Sequence, residues 1–331
     1  MSFNQILKIL DQKGAVNVLL LCHHNSDPDA VCSAYAFQGL LKKLRPNIKS
    51  EIGTGLGISK LTKHLCNFIP ITVNLHPEVD KAQVIILLDT NTIQQLGSLT
   101  DKVSRTEVPI VVVDHHAVHP DTQGLCKLCI TAEDASSTCD IVYGFYKEQN
   151  IKPDLNEAKA LFLGMAFDTR HFVIASSSTF KAVADLIDDG INAQEALSML
   201  AIPMDFSERV ARVKACRRAK IIRINNWIIA FSHVSAFQAS AARALTDLGA
   251  HMSAVAGMKG EKIEISLRCT REFSEKTGIH LGKDIAKPLG ETLKGMGGGH
   301  AMAAGVNGTG EIKAGLKRCL RLLKENLAKS E

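Results

Sequence analysis

Apolar positions in the first half of the chain gather in short runs, at 16–22, 84–88 and 108–113, the mark of strands buried on both faces. Between the first two lies a stretch, 30–44, whose apolar residues (Val31, Ala34, Tyr35, Leu40, Leu41, Leu44) recur at helical intervals. Pro28 suits the start of that helix, because its missing N–H costs nothing there. Helical spacing returns at about 136–149 and 156–167, and runs from 178 to 218 with Gly190 and Pro203 as punctuation. Strands alternating with helices predict a parallel, doubly wound sheet. From about 220 the rhythm changes. Residues 221–231, 254–258 and 262–268 read as strands, the last alternating as Ile263, Ile265 and Leu267, and 312–327 reads as a closing helix. The predicted architecture is α/β: an N-terminal doubly wound parallel-sheet domain over 1–190, a helical linker over 191–220 and a smaller C-terminal α+β domain over 221–331. A chain of 331 residues is long enough for two cores.

Composition narrows the classes. No run approaches the ~18 apolar residues of a membrane helix. The first residues, with Lys8, Asp11 and Lys13 among them, form an amphipathic start without a signal-peptide core. A cytoplasmic protein with no membrane partner is expected. The 9 cysteines are scattered and odd in number, which points to reduced thiols. A single Trp and 3 Tyr argue against a long base-stacking track. The net charge of +5 leans towards anionic partners without deciding anything.

The chemistry-bearing residues stand where the apolar runs end. His23, Asp27 and Asp29 follow the first run, Asp89 the second, and Asp114, His115 and His116 the third; Asp168 follows a helix. The carboxyl ends of parallel strands line one crevice, so these clusters converge. Any one of the aspartates is an ordinary turn or cap residue. Together, so many carboxylates repel strongly unless a cation neutralises them. Two ions sharing a bridging carboxylate would use them all. Mixed His/Asp ligation rich in oxygen suits manganese, or magnesium or cobalt, better than a closed zinc site.

The segment His23-His24-Asn25-Ser26-Asp27-Pro28-Asp29-Ala30, the strand-end Asp89, Asp114-His115-His116 and Phe167-Asp168-Thr169 resemble the four motifs of the DHH phosphoesterase superfamily. Ser136-Ser137-Thr138 before a helix is a further family-like feature. Ile265-Ser266-Leu267-Arg268 and Gly297-Gly298-Gly299-His300 resemble the DHH-associated substrate domain. The similarity spans nearly the whole chain, and its size is close to the compact nanoRNase and RecJ-like members. The resemblance implies that His23 and Asp27 bind one metal ion, that Asp29, His115 and Asp168 bind a second, and that Asp89 bridges both. Asp114 would orient a neighbouring ligand, and His116 would point at the substrate phosphate. Asp89, Asp114, His115 and His116 would then carry the catalysis. Arg268 and His300 would hold the substrate, with Gly297, Gly298 and Gly299 letting backbone approach the anion.

The expected activity is divalent-metal-dependent hydrolysis of short RNA or DNA oligonucleotides to mononucleotides, with two Mn2+ ions, or Mg2+ or Co2+, as cofactor. Alternatives are a cyclic or linear dinucleotide phosphodiesterase, a phosphatase of adenosine 3′,5′-bisphosphate, and a catalytically inactive nucleic-acid-binding module. A homodimer stays open. Three departures from the family pattern stand out: Pro28 and Cys32 where glycine is frequent, Arg170 and His171 after Asp168 where a small residue is common, and Ala301-Met302 after the glycine run. Arg170 and His171 either add phosphate contacts or narrow the crevice. Cys126 and Cys129 lack a second cysteine pair at zinc spacing and read as strand packing. Residues 53–60 (GTGLGISK) look like a phosphate loop but lack its Gly-Lys-[Ser/Thr] ending and read as a turn. Lys214, Arg217, Arg218 and Lys220 read as a solvated helix face, with guidance of a nucleic-acid backbone as the rival reading.

Overall fold

The computed structural model describes residues 2–132 and 134–328, and the chain divides after Ile202 into two compact units. In the first, α1 (Phe3–Gln12) precedes β1 (Asn17–Cys22), α2 (Pro28–Leu44), β2 (Lys49–Gly53), α3 (Lys60–Leu65), β3 (Val84–Leu88), α4 (Thr100–Ser104), β4 (Ile110–Asp114), α5 (Pro120–Leu125) and β5 (Leu128–Thr131); α6 (Thr138–Glu148), α7 (Leu155–Asp168), α8 (Ser177–Asp188) and α9 (Ala193–Met199) follow. The five strands form one parallel sheet in the order β2-β1-β3-β4-β5.

Alternate residues of the central strands serve opposite faces. Leu20, Ile86 and Val111 join a cluster with Phe37 of α2 and Phe162 of α7, whereas Leu21, Leu87 and Val112 pack with Ile93, Leu96 and Val103. Both faces are covered, which is why these strands read as apolar runs without alternation. The chain steps from β1 outward to β2 and then back across to β3. This reversal opens a crevice at the carboxyl ends of β1 and β3, where His23 and Asp89 lie.

The second unit contains α10 (Phe206–Arg217), β6 (Lys220–Ile224), β7 (Trp227–His233), α11 (Gln238–Asp247), β8 (Met252–Lys259), β9 (Lys262–Cys269), α12 (Arg271–Thr277), α13 (Lys287–Thr292), β10 (Met296–Gly299), β11 (Ala303–Thr309) and α14 (Ile312–Leu327). Its six strands run in the order β10-β11-β9-β8-β7-β6, with β7 and β8 parallel and the other neighbours antiparallel. Ile263, Ile265 and Leu267 face a core completed by Cys319 and Leu323 of α14, while Ala230 and Val255 face Ala241 and Leu245 of α11.

Two expectations need adjustment. The stretch 221–231 is a hairpin rather than one strand: Asn225, in the left-handed region at φ 52°, turns the chain between β6 and β7. The stretch 191–220 does not stand apart from the two units, since α9 lies in the first and α10 in the second. No helix among the described residues is long and apolar enough to cross a membrane.

The glycine run shapes the second unit. Residues Leu281–Ala286 form a short π-helical stretch packed on β10, with Leu281 N–H donating to the Ala301 carbonyl at 3.0 Å and Gly282 N–H to that of His300 at 3.2 Å. A Cβ at Gly297 would lie 1.8 Å from the Ala286 carbonyl oxygen, and one at Gly282 would lie 2.2 Å from that of Gly299. A Cβ at Gly298 would meet nothing within 4 Å. Gly297→Ala is therefore expected to destabilise the protein by at least ~2 kcal/mol, and Gly298→Ala by less than ~0.5 kcal/mol. Thermal unfolding of the two variants checks this, and equal midpoints would refute the packing role of Gly297.

Candidate metal centre

Asp27 caps α2: its Oδ1 accepts from the Ala30 N–H at 3.2 Å, with Pro28 as the first helical residue. That cap places Asp29 inside the first turn, where it is fully buried. Both oxygens of Asp29 are engaged by the start of α6. Oδ2 accepts from Thr138 N–H at 2.7 Å and Oδ1 from Cys139 N–H at 3.0 Å. Gly164 of α7 makes room for the arrangement, since a Cβ there would lie 2.2 Å from Cys139 Sγ and 3.0 Å from Asp29 Oδ1.

The loop 53–60 proves to be a buttress. Ile58 bridges Ser26 in parallel, Ser59 N–H donates to the Ser26 carbonyl at 2.9 Å, and Thr54 Oγ1 donates to that of His23 at 3.1 Å. These bonds pin the segment that carries His23 and Asp27. Asp89, directly after β3, holds a left-handed φ of 52°, a conformation that L-residues adopt at a cost and that clusters at functional sites.

Three sets of side chains converge at spacings suited to a metal ion: His23, Asp27 and Asp89; Asp29, His115 and Asp168; and Asp89, Asp114, His115 and His116. His23 Nε2 lies 3.7 Å from Asp27 Oδ2 and 3.8 Å from Asp89 Oδ2. His115 Nε2 lies 3.7 Å from Asp89 Oδ1 and 3.0 Å from Asp168 Oδ2. One carboxylate, that of Asp89, thus presents one oxygen to each histidine. His115 Nε2 is buried and faces the carboxylate oxygens of both Asp89 and Asp168. A buried ring nitrogen facing two carboxylates fits a cation held between them. His23, Asp27, Asp89, Asp29, His115 and Asp168 therefore fit a divalent metal through mixed nitrogen and oxygen donors.

Asp114 is fully buried, and its Oδ1 accepts from the His116 N–H at 2.8 Å and lies 2.9 Å from His116 Nδ1. It orients His116, whose ring is exposed and stands beside that of His115, with centroids 3.9 Å apart. Thr138 is a residue that ligand spacing alone did not single out. Besides its amide bond to Asp29, its Oγ1 donates to Asp89 Oδ1 at 3.1 Å. The hydroxyl pattern Ser136-Ser137-Thr138 before a helix was its only signal in the sequence.

After Asp168 the backbone makes a left-handed turn, with Arg170, His171 and Phe172 at φ 52°, 57° and 68°. Such a run costs roughly 1–2 kcal/mol per residue. Phe172 anchors it against Phe162 and Phe180 at ring distances of 5.3 and 6.3 Å. Arg170 and His171 are exposed there and belong to none of the three ligand sets. Cys126 and Cys129 are free thiols packed on the apolar cluster beneath β4.

Arg268, Gly297, Gly298, Gly299 and His300 lie in the second unit. Arg268 on β9 pairs with Ala303 on β11, whose carbonyl accepts from the His300 N–H at 2.8 Å, so the two side chains occupy one end of the sheet. The glycines are not all free for an anion. Gly297 and Gly299 are consumed by backbone packing, and Gly298 alone of the run is open.

Without a cation, protons must offset the charge of the cluster. Burial opposes protonation of His23, but the Asp27 and Asp89 carboxylates outweigh it and push the ring up to about 9. Burial, then the charges of Asp27, Asp114 and Asp168, push Asp89 up to about 7. Burial and the charges of Asp89 and Asp168 hold Asp29 well above the usual carboxylate range. Each of these groups holds its proton more tightly when folded. Its contribution to stability is complete below the unfolded pKa and disappears as pH rises through the folded one. The metal-free protein is therefore expected to lose thermal stability between about pH 6 and about pH 8, and Mn2+ to raise the midpoint more at the higher pH, because binding displaces those protons. Melting curves in chelator and in Mn2+ test this; a metal-free midpoint that rises with pH would contradict the charge assignment.

Comparison with known proteins places this geometry. The DHH family, N-terminal domain, matches residues 17–165, and the DHHA1 domain matches residues 225–329. An uncharacterized protein of Methanocaldococcus jannaschii is 36% identical over 303 residues, covering 91% of this chain and 90% of that one. A probable manganese-dependent inorganic pyrophosphatase of Bacillus pumilus is 24% identical over 280 residues, covering 81% and 87%. In fold, the chain resembles an exopolyphosphatase-related protein from Bacteroides fragilis, with a TM-score of 0.64 at 17% identity over 99% of this chain and 96% of that one. With the ligand sets at the strand ends and both family domains in order, the chain belongs to the DHH family of phosphoesterases.

Proposed function

We propose that the protein is a divalent-metal-dependent phosphodiesterase that hydrolyses short oligonucleotides to mononucleotides. The observation that carries this reading is Asp89, set between two ligand groups with one oxygen towards each. In this reading His23 and Asp27 hold one ion, Asp29, His115 and Asp168 hold a second, and Asp89 serves both. The manganese dependence in the name of the Bacillus pumilus relative supports Mn2+ as the metal. A bound divalent pair supplies charge neutralisation at the phosphoryl oxygens and acidifies water.

The protein's own groups do the rest. Asp114 fixes the His116 ring so that its exposed edge donates to the phosphoryl group, where negative charge grows in the transition state. Thr138 holds Asp29 and Asp89 in one arrangement. Arg268 and His300, with the open backbone at Gly298, hold the anionic part of the substrate. The first unit thus carries the chemistry and the second carries substrate recognition. A second reading, hydrolysis of pyrophosphate, is supported by the similarity to the same relative over 81% of the chain.

A labelled panel decides between them: RNA and DNA from dinucleotides to long single strands, cyclic dinucleotides, adenosine bisphosphate and pyrophosphate, each with Mn2+ and product analysis. The expected result is the highest kcat/KM on the shortest oligonucleotides, with no rise with length. A rate that climbs with length and falls with salt would favour a strand exonuclease instead. Asp89→Ala is expected to lower Mn2+-dependent turnover at least about a hundredfold, ~2.7 kcal/mol. Retention of more than about a tenth of the rate, a loss under ~1.4 kcal/mol, would rule out a shared ligand. His300→Ala and Arg268→Ala are expected to raise KM while metal content, read by elemental analysis, stays at the wild-type level.

A further inference from the structure

The end of α7 is closed by two hydrogen bonds that reverse the chain. His171 N–H donates to the Ala166 carbonyl at 2.6 Å, and Arg170 N–H to that of Phe167 at 3.1 Å. In this Schellman arrangement the residue after the cap is left-handed, and glycine is its usual occupant because it has no Cβ. Here the position holds Arg170 at φ 52°, followed by His171 at 57°. An apolar contact commonly accompanies the next position. His171 is exposed instead, and the apolar anchor falls one residue later, at Phe172.

The turn is tied to the elements that carry the metal centre. Thr169 is fully buried; its Oγ1 donates to the Met165 carbonyl at 2.5 Å and accepts from Phe172 N–H at 3.1 Å. Ile174 N–H donates to the Thr169 carbonyl at 3.1 Å, and Ser176 N–H to Ser136 Oγ at 3.0 Å, two residues before Thr138. Arg170 thus stands on a fixed backbone two residues beyond Asp168. The two α-carbons are at most ~7 Å apart, a span that a long side chain covers. Arg170 is exposed, and among the described residues no hydrogen bond or ion pair engages its side chain, although the ligand carboxylates gather in the adjoining crevice. A cation kept for structure would be paired, and a merely solvated one would not need a strained backbone. Strain that the fold itself does not use marks functional positions.

We propose that Arg170 is a substrate-binding residue of the metal centre, its guanidinium taking phosphoryl oxygens of an ester held there. The planar fork matches two oxygens of one phosphoryl group. The inference rests on the phosphodiesterase reading and extends recognition into the first unit.

The test is titration calorimetry on the full chain with Mn2+, using inorganic phosphate as the probe, beside thermal unfolding and elemental analysis. Arg170→Gly is expected to weaken phosphate binding at least about fivefold and to keep the wild-type Mn2+ content. It is also expected to raise the thermal midpoint by about 2–4 °C, since glycine takes the left-handed position without strain. Arg170→Lys keeps the charge and the strain but loses the fork, so its Kd should lie between the other two and its midpoint at the wild-type value. Undetectable phosphate binding by the wild type, or a Kd that Arg170→Gly changes less than about fivefold, overturns the proposal. A fall in midpoint or a loss of Mn2+ in Arg170→Gly overturns it too, because the side chain would then serve the fold or the metal. Hydrolysis of oligonucleotides is measured separately, so absence of that activity would count against the phosphodiesterase reading and leave the phosphate Kd to decide the role of Arg170.

Discussion

A carboxylate sealed from water and held by the first amides of a helix organises the first unit. Asp29 can be buried only because Thr138 and Cys139 meet both of its oxygens, and the N-terminus of α6 adds the favourable end of its dipole. That contact fixes α2 against α6, and Gly164 lets α7 close over both. Asp168, the last residue of α7, then falls beside His115 at 3.0 Å. Thr138 extends the same anchor to Asp89. A single buried side chain therefore determines where three separate strand and helix ends meet.

The cluster so built is unfavourable by itself. Asp27, Asp29, Asp89, Asp114 and Asp168 crowd carboxylates into one partly buried crevice, where their charges oppose one another. Protons on Asp29, Asp89 and His23 offset part of the charge, as the upward shifts of all three show. A proton satisfies one oxygen at a time, whereas a divalent cation takes several donors at once, and the His115 nitrogen stands among them. The architecture is paid for by the fold and completed by the ion.

Much of this was legible in the sequence, for identifiable reasons. β1, β3 and β4 showed as apolar runs because both faces of the sheet are covered, and their ends showed as acids and histidines because a parallel sheet collects its carboxyl ends at one edge. β2 was not visible, since Lys49, Ser50 and Glu51 on this edge strand meet solvent. β10 was hidden by its glycines, which normally weaken strands and here are required by contact with Ala286. The hairpin of β6 and β7 was merged into one strand although Asn225-Asn226 at its centre is a turn signal. The convergence of His23, Asp27, Asp29, Asp89, His115 and Asp168 needed only residue type and order. The roles of Thr138 and of the 53–60 buttress depended on contacts between residues distant in the chain, which no local pattern records.

The two units differ in electrostatic character. The first gathers carboxylates that call for a cation; in the second, Arg268 is half-buried and donates to the Leu267 carbonyl. The net charge of +5 conceals this, because the surplus of each sign is local. Surface pairs elsewhere show that the sequence supplies partners where structure alone is at stake, as in Arg45 with Asp11 at 2.8 Å and Arg321 with Glu325 at 2.8 Å. A divalent metal answers the demand of the first. The gathered carboxylates and histidines favour an enzyme that acts on phosphate esters over a module that merely binds nucleic acid, since holding a phosphate backbone calls for cations on the protein and not for buried acids.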